Sequence, residues 1–377
     1  LAHITLWPEQ PTIRQDQLET GYTLEDNTGK RQRFWYHCSS DQQAALSASC
    51  DPYVLAALFT AMQQKADLRV RGQVSPSLVK NLAEFQSTWA TWRPWNYTSI
   101  EIQADEEQEI AQTPRQAALA SFSGGVDSAF TVWRDRHGST LPQNIQAGLM
   151  VHGFDIRLNQ PDVFARAASK AKIMLDSMQI KLITIATNIK KTNIPYEHSQ
   201  ASLLASCFML LQGSYTTEII ASTFPNNHLF IPWGSNPLTD PLLSSDSFSI
   251  LHDGAEYTRL DKVKVIAEWP EVRQYLRVCM RGKERDENCC HCEKCILTIL
   301  EFRSLGLGLP DCFKHDVRAS QLPFLRIPRS TNEFRLALAA ARANHVSGDW
   351  LSAASFACLL NDIQHRFENT ARKIVRK

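Results

Sequence analysis

From about residue 115 the hydrophobic positions fall into a repeating order of short apolar runs and longer periodic stretches. Ala117–Phe122 is short and mostly apolar, as a buried parallel strand is. Asp127 to Arg136 then reads as a helix, Ile145–Val151 as a strand, Pro161–Met178 as a helix and Ile180–Ala186 as a third strand. Gln200–Gln212 is helical and Glu218–Ala221 strand-like. This β-α-β-α order predicts an α/β fold with a doubly wound parallel sheet. Ahead of it, Asp26-Asn27-Thr28-Gly29 is a turn signal followed by a strand at Arg33–His37. Asp51–Met62 and Pro76–Phe85 carry helical spacing of apolar residues. Asp105–Glu109, followed by Pro114, is polar and charged enough to serve as a linker. Ser330–Lys377 reads as two or three helices. The expected division is therefore an N-terminal α+β unit over 1–112, a central domain over 115–275, a cysteine-bearing segment over 276–310 and a helical region over 311–377.

Composition changes this picture little. Of 377 residues, 44% are hydrophobic and 21% charged, within the ordinary range for a globular protein. The formal net charge of +1 does not call for nucleic acid or a membrane surface as partner. No uncharged apolar run approaches membrane-spanning length and the N-terminus lacks a leader pattern, so the expected location is cytoplasmic.

Two motifs carry chemistry. Ser123-Gly124-Gly125-Val126-Asp127-Ser128 lies between an expected strand and an expected helix. Its glycines allow a tight turn with amides close to an anion, and the helix that follows adds its positive end. Ser123 and Ser128 add hydroxyls, and Asp127 is placed to hold Mg²⁺ or to serve as a helix N-terminal residue. The Gly-Lys-Ser/Thr element of a Walker A loop is missing. Farther on, Cys279, Cys289, Cys292 and Cys295 follow the spacing x9, x2, x2. Two short gaps let one turn point two sulfurs at a single ion, which suits structural zinc; an iron–sulfur cluster takes the same ligands. Cys290 and His291 are alternates.

The loop resembles that of the PP-loop ATP pyrophosphatase superfamily, whose members split ATP into AMP and pyrophosphate while adenylating a substrate oxygen. Together with the cysteine spacing, residues 115–305 resemble the 7-cyano-7-deazaguanine synthase family, whose equivalent cysteines hold zinc. This chain departs from it by the N-terminal unit and the helical tail. The resemblance implies ATP, Mg²⁺ and Zn²⁺ as cofactors, and a small-molecule carboxylate or purine-like carbonyl whose adenylate is displaced by ammonia or an amine. An ammonia or sulfur donor would be its partner, and a homodimer is left open. Sulfur transfer to a nucleobase, nucleotide or tRNA is the second reading, and a non-catalytic ATP sensor the third.

Ligands of open α/β sheets bind beyond the carboxyl ends of strands. His152, Gly153 and Asp155 after the second strand, and Asn188 after the third, are thus expected beside the nucleotide. His198, at the start of the next helix, and Ser235, Asn236 and Asp240, in a polar loop with two prolines, are the expected substrate contacts. Arg259 and Lys262 are the candidate cations for pyrophosphate or a carboxylate, acting with Asp127 and Ser128 in catalysis.

Overall fold

A computed structural model describes residues 2–111, 117–138, 143–228, 231–327 and 331–375. Pro114, Ser330 and Lys377, which bounded expected segments, lie outside the described residues. The strands are β1 (His3–Arg14), β2 (Gln17–Asp26), β3 (Arg31–Ser39), β4 (Asp67–Val74), β5 (Ile102–Glu107), β6 (Ala118–Ser121), β7 (Ile145–His152), β8 (Lys181–Thr187), β9 (Thr217–Ala221) and β10 (Ser249–Asp253). The helices are α1 (Asp51–Gln64), α2 (Pro76–Trp92), α3 (Val126–His137), α4 (Pro161–Ser177), α5 (Tyr196–Met209), α6 (Arg259–Ile266), α7 (Pro270–Tyr275), α8 (Glu293–Ser304), α9 (Thr331–Ala343) and α10 (Asp349–Val375).

The protein is α/β, built on a ten-stranded, mostly parallel sheet in the order β10-β9-β6-β7-β8-β3-β2-β1-β4-β5. The five strands from β6 to β10 are mutually parallel where they pair. From β6 the chain steps outward through β7 and β8, then returns to the other side of β6 for β9 and β10. The order of succession reverses between β6 and β9, which is where open sheets of this kind bind ligands. β1, β2 and β3 are antiparallel, and β4 and β5 add in parallel beyond β1.

Two compact units emerge, one formed by 1–123 and 131–256, the other by 124–130 and 257–377. The division expected near residue 112 is not a boundary between them, because β3 pairs antiparallel with β8 and carries the N-terminal strands into the central sheet. Asp105–Glu107, expected in a linker, ends the edge strand β5. Its charged side chains fit that place, with Asp105 paired to Arg71 of β4, because charge on an edge strand discourages pairing with foreign chains.

In the first unit one continuous core joins both parts of the sequence. α1 is buried nearly all round, from Asp51 to Met62, and packs beside α5, whose Ser202 hydroxyl donates to the Leu55 carbonyl. Tyr36 of β3 and Ser206 of α5 share a buried hydrogen bond of 2.6 Å. The thiol of Cys207 is fully enclosed there, and burial pushes its pKa well up. In the second unit α8 presents buried Ile296, Ile299, Leu300 and Phe302, and α9 contributes Phe334, Leu338 and Ala341.

The turn after β7 requires glycine. Gly153 has φ of +112°, and a Cβ on it would lie 2.1 Å from the Thr187 carbonyl oxygen. Gly153→Ala should lower the unfolding midpoint by the equivalent of at least ~2 kcal/mol. A melt that coincides with wild type would refute the need for glycine.

Candidate active site and metal centre

The Ser123–Ser128 motif leads directly into α3. Gly124 takes φ of +74°, a left-handed conformation open to glycine at little cost. Its carbonyl accepts a 2.8 Å hydrogen bond from the Arg277 amide, which fixes the turn from the far side of the sequence. Ser128 donates through Oγ to the Gly125 carbonyl at 3.2 Å. Val126 is buried and anchors the first turn of α3.

Asp127 sits in that first turn, where a carboxylate is favoured by the helix dipole. Lys262 of α6 donates to its Oδ1 at 3.0 Å, and the Arg259 guanidinium lies 4.0 Å from Oδ2. Lys262 is only 2% exposed, so its ammonium is held in place by partners instead of water. α6 is positioned by a capping box in which Thr258 and Asp261 satisfy each other's backbone amides. Three of the four expected catalytic residues, Asp127, Arg259 and Lys262, are thus brought together, and Ser128 adjoins Asp127 in the chain.

Two residues that sequence reasoning did not single out complete this cluster. Arg259 donates to Thr298 Oγ1 at 2.8 Å, and its Nε lies 3.3 Å from Glu301 Oε2, both on α8. Glu301 is wholly buried, and burial pushes its carboxyl up to about 7, opposed by the Arg259 charge. Nothing in the apolar periodicity around Glu301 distinguishes a buried carboxyl from a surface one. The pair gives Arg259 a fixed direction by charge and geometry.

The cysteine segment assembles the four predicted sulfurs. Cys279, Cys289, Cys292 and Cys295 lie with their sulfur atoms all within 4.8 Å of one another. Cys279 and Cys292 are 4.0 Å apart, and Cys289 and Cys295 are 3.9 Å apart. Tetrahedral zinc with Zn–S of about 2.3 Å sets sulfur–sulfur edges of about 3.8 Å. The cluster therefore fits a metal such as zinc. The Gly282 amide donates to Cys279 Sγ and the Cys292 amide to Cys289 Sγ, which favours thiolates. Cys292 caps α8 and Cys295 lies in its first turn, so both benefit from its positive end. The Cys295 thiol hydrogen bond brings Cys292 down to about 4 and pushes Cys295 itself up, as crowded sulfurs sharing a proton do. Asn288 ties the segment together, accepting from the Val278 and Cys279 amides and donating to the Leu276 and Cys312 carbonyls. The alternates are occupied elsewhere: Cys290 donates to the Asn288 carbonyl, and His291 Nδ1 engages the Cys289 carbonyl.

The remaining candidates lie in the first unit, several with committed side chains. His152 bonds through Nε2 to the Arg157 carbonyl at 2.9 Å and stacks on Phe164. Asn188 accepts from the Trp35 amide and donates to the Arg33 carbonyl, joining β3 to β8. Gly153 forms the turn described above, and Asp155 follows it, half-buried. His198 shares a 2.8 Å hydrogen bond with Tyr97, and burial, then Arg93, lowers its pKa. Ser235, Asn236 and Asp240 do come together. Asp240 accepts from Ser235 Oγ at 2.7 Å and from the Asn236 amide at 2.9 Å. It also accepts from Nδ1 of His252 on β10 at 2.7 Å. His252 was not among the expected site residues, because a histidine near the end of a short strand carries no spacing signal.

Protein-family models give no match to this chain, and neither the curated proteins nor the solved structures give a significant one. Among the described residues no helix is long and apolar enough to cross a membrane.

Cys292→Ser should lower the metal-to-protein ratio and the unfolding midpoint together, read by elemental analysis and a thermal melt. An unchanged ratio would remove the metal centre. Glu301 gives a pH test. Its folded pKa of about 7 lies above the ordinary carboxyl value of 4.5, so its contribution is full below that value and lost as pH rises through 7. Glu301→Gln should therefore gain stability relative to wild type between pH 5 and pH 8.5, in denaturant midpoints. A pH-independent difference would contradict the raised pKa.

Proposed function

We propose that this protein is an ATP-dependent enzyme of the PP-loop kind, forming AMP and pyrophosphate while adenylating an oxygen of a small molecule. The observation that carries the reading is the Ser123–Ser128 loop between β6 and α3, with Asp127 held by Lys262 and Arg259. A loop with a left-handed glycine and a following helix N-terminus offers amides to phosphate oxygens. The reversal of strand order beside β6 is a second support, since the loop issues from the carboxyl end of that strand.

The loop amides and the Ser123 and Ser128 hydroxyls would hold the phosphates of ATP, and Asp127 would hold Mg²⁺, which would supply positive charge to them. The substrate oxygen attacks the α-phosphorus and pyrophosphate departs. Lys262 and Arg259 offset the charge that builds on the phosphates, and Glu301 and Thr298 hold Arg259 in the orientation this requires. The adenylate is then open to ammonia or an amine, with AMP as leaving group. The four cysteines would hold a metal such as zinc, and a full set of four thiolates suits a structural role. A sulfur-carrying role for Cys207 is disfavoured by its complete burial and raised pKa, since only a thiolate takes up sulfur readily.

The test is pyrophosphate release measured against deazapurine carboxylates, amino acids and nucleotides, with ammonium present or absent. Asp127→Ala should reduce AMP formation by at least ~100-fold, a loss of about 2.7 kcal/mol of transition-state stabilisation, with the fold retained and the melt lowered because the buried Lys262 ammonium loses this carboxylate. Turnover at the wild-type rate would sink the role of Asp127. Tight ATP binding with no AMP under any condition would favour a nucleotide sensor.

A further inference from the structure

Glu301 lies on α8 with no exposed surface, and neither of its carboxyl oxygens has a hydrogen-bond partner among the described residues. Its charge partner is Arg259, whose Nε lies 3.3 Å from Oε2. The same guanidinium lies 4.0 Å from Asp127 Oδ2 and is tied to Thr298 Oγ1 at 2.8 Å. One cation is therefore shared between an acid of the loop and an acid of the core. Glu333 of α9 adds a further carboxyl, with Oε2 buried and lacking a hydrogen-bond partner among the described residues. Asp127, Arg259, Lys262, Glu301 and Glu333 all belong to the second unit.

A carboxylate buried without hydrogen bonds stays charged only while a neighbouring cation offsets its lost hydration. A carboxylate whose sole task was to aim Arg259 would be better served by donors on its own oxygens, such as Asp240 has from Ser235, the Asn236 amide and His252. The charged groups that face Glu301 are Arg259 of α6, Asp127 of α3 and Glu333 of α9. Burial raises its pKa most, Arg259 opposes the rise, and the negative charges of Asp127 and Glu333 add to it, so that it stands at about 7. Both forms are then populated near neutrality, and the local potential decides between them. An anion that engages Lys262 and Arg259 makes that potential more negative and draws the guanidinium charge away from Glu301. Both effects favour the neutral acid.

We propose that Glu301 is the proton-linked partner of the phosphate site, taking up one proton from solvent when an anion engages Arg259 and Lys262 and releasing it when the anion departs. The inference rests on the proposed phosphate site and adds a regulatory property to it. On binding, one O–H bond forms on the Glu301 carboxyl, and the Arg259 charge is left to the anion and Asp127. Departure of pyrophosphate reverses the step. Linkage is reciprocal: the factor by which the anion tightens proton binding is the factor by which the proton tightens anion binding. The Glu301 contribution to anion affinity is therefore full below its free value of about 7 and lost as pH rises through the higher bound value.

The experiment uses the full chain labelled with ¹³C at the glutamate carboxyls, titrated in pH with and without saturating inorganic pyrophosphate and no added magnesium. Glu301→Gln assigns the resonance, and Glu301→Asp serves if the glutamine variant does not fold. The Glu301 midpoint should rise by at least ~0.5 pH unit with pyrophosphate, which corresponds to about threefold in affinity. Between pH 6 and pH 8.5 the wild type should accordingly lose at least ~threefold more pyrophosphate affinity than Glu301→Gln, in which the ionisation of pyrophosphate itself is the same. Pyrophosphate that binds without moving this midpoint overturns the proposal and leaves Glu301 a brace for Arg259. A free-protein midpoint in the ordinary carboxyl range overturns it too, because the carboxylate would stay charged throughout. Pyrophosphate that perturbs no resonance at any pH sinks the phosphate site itself, and this linkage with it.

Discussion

The sheet is continuous because β3 finds enough hydrogen bonds along β8, although the two strands share a short register. Tyr36 and His37 face Thr187 and Ala186, and the ladder would end there. Side chains prolong it. Thr187 donates its hydroxyl to the Trp35 carbonyl at 2.6 Å, and Asn188 serves the Trp35 amide and the Arg33 carbonyl. An open seam would leave backbone amides and carbonyls beside an apolar core with no partners, which is costly. With the seam closed, α1 and α5 share one core, and the strands that position β6 and β9 are braced from both edges of the sheet.

The same seam explains what could be read from the sequence. The strands from β6 to β9 and the helices α3 to α5 were legible because burial on both faces gives short apolar runs and burial on one gives clear periodicity. β1 and β2 were not, since much of β1 is exposed and its polar residues resemble a loop. β5 reads as a charged linker because an edge strand tolerates Asp105, Glu106 and Glu107. Two of the candidate residues placed by the rule of strand ends have side chains committed to the fold. Asn188 is spent on the seam and His152 on the Arg157 carbonyl, uses that depend on partners five or more than a hundred residues away.

Charged residues followed a different logic. The loop motif singles out Asp127, whereas Arg259 and Lys262 stand out in the sequence only as candidate cations, and it is the fold that brings them to Asp127. Glu301 and His252 were not, because their meaning lies in what surrounds them. The first is kept in place by Arg259 of α6, the second by a carboxylate twelve residues back that two other donors also hold.

A metal on the four-sulfur cluster would tie the second unit to its surroundings by mass action. An ion bound only by the folded form adds RT ln(1 + [L]/Kd) to its stability, about 2.7 kcal/mol at a hundredfold excess over Kd. Cys292 and Cys295 open α8, the helix that also carries Thr298 and Glu301. A metal on those sulfurs would make the persistence of that helix, and with it the orientation of Arg259, depend partly on free metal concentration.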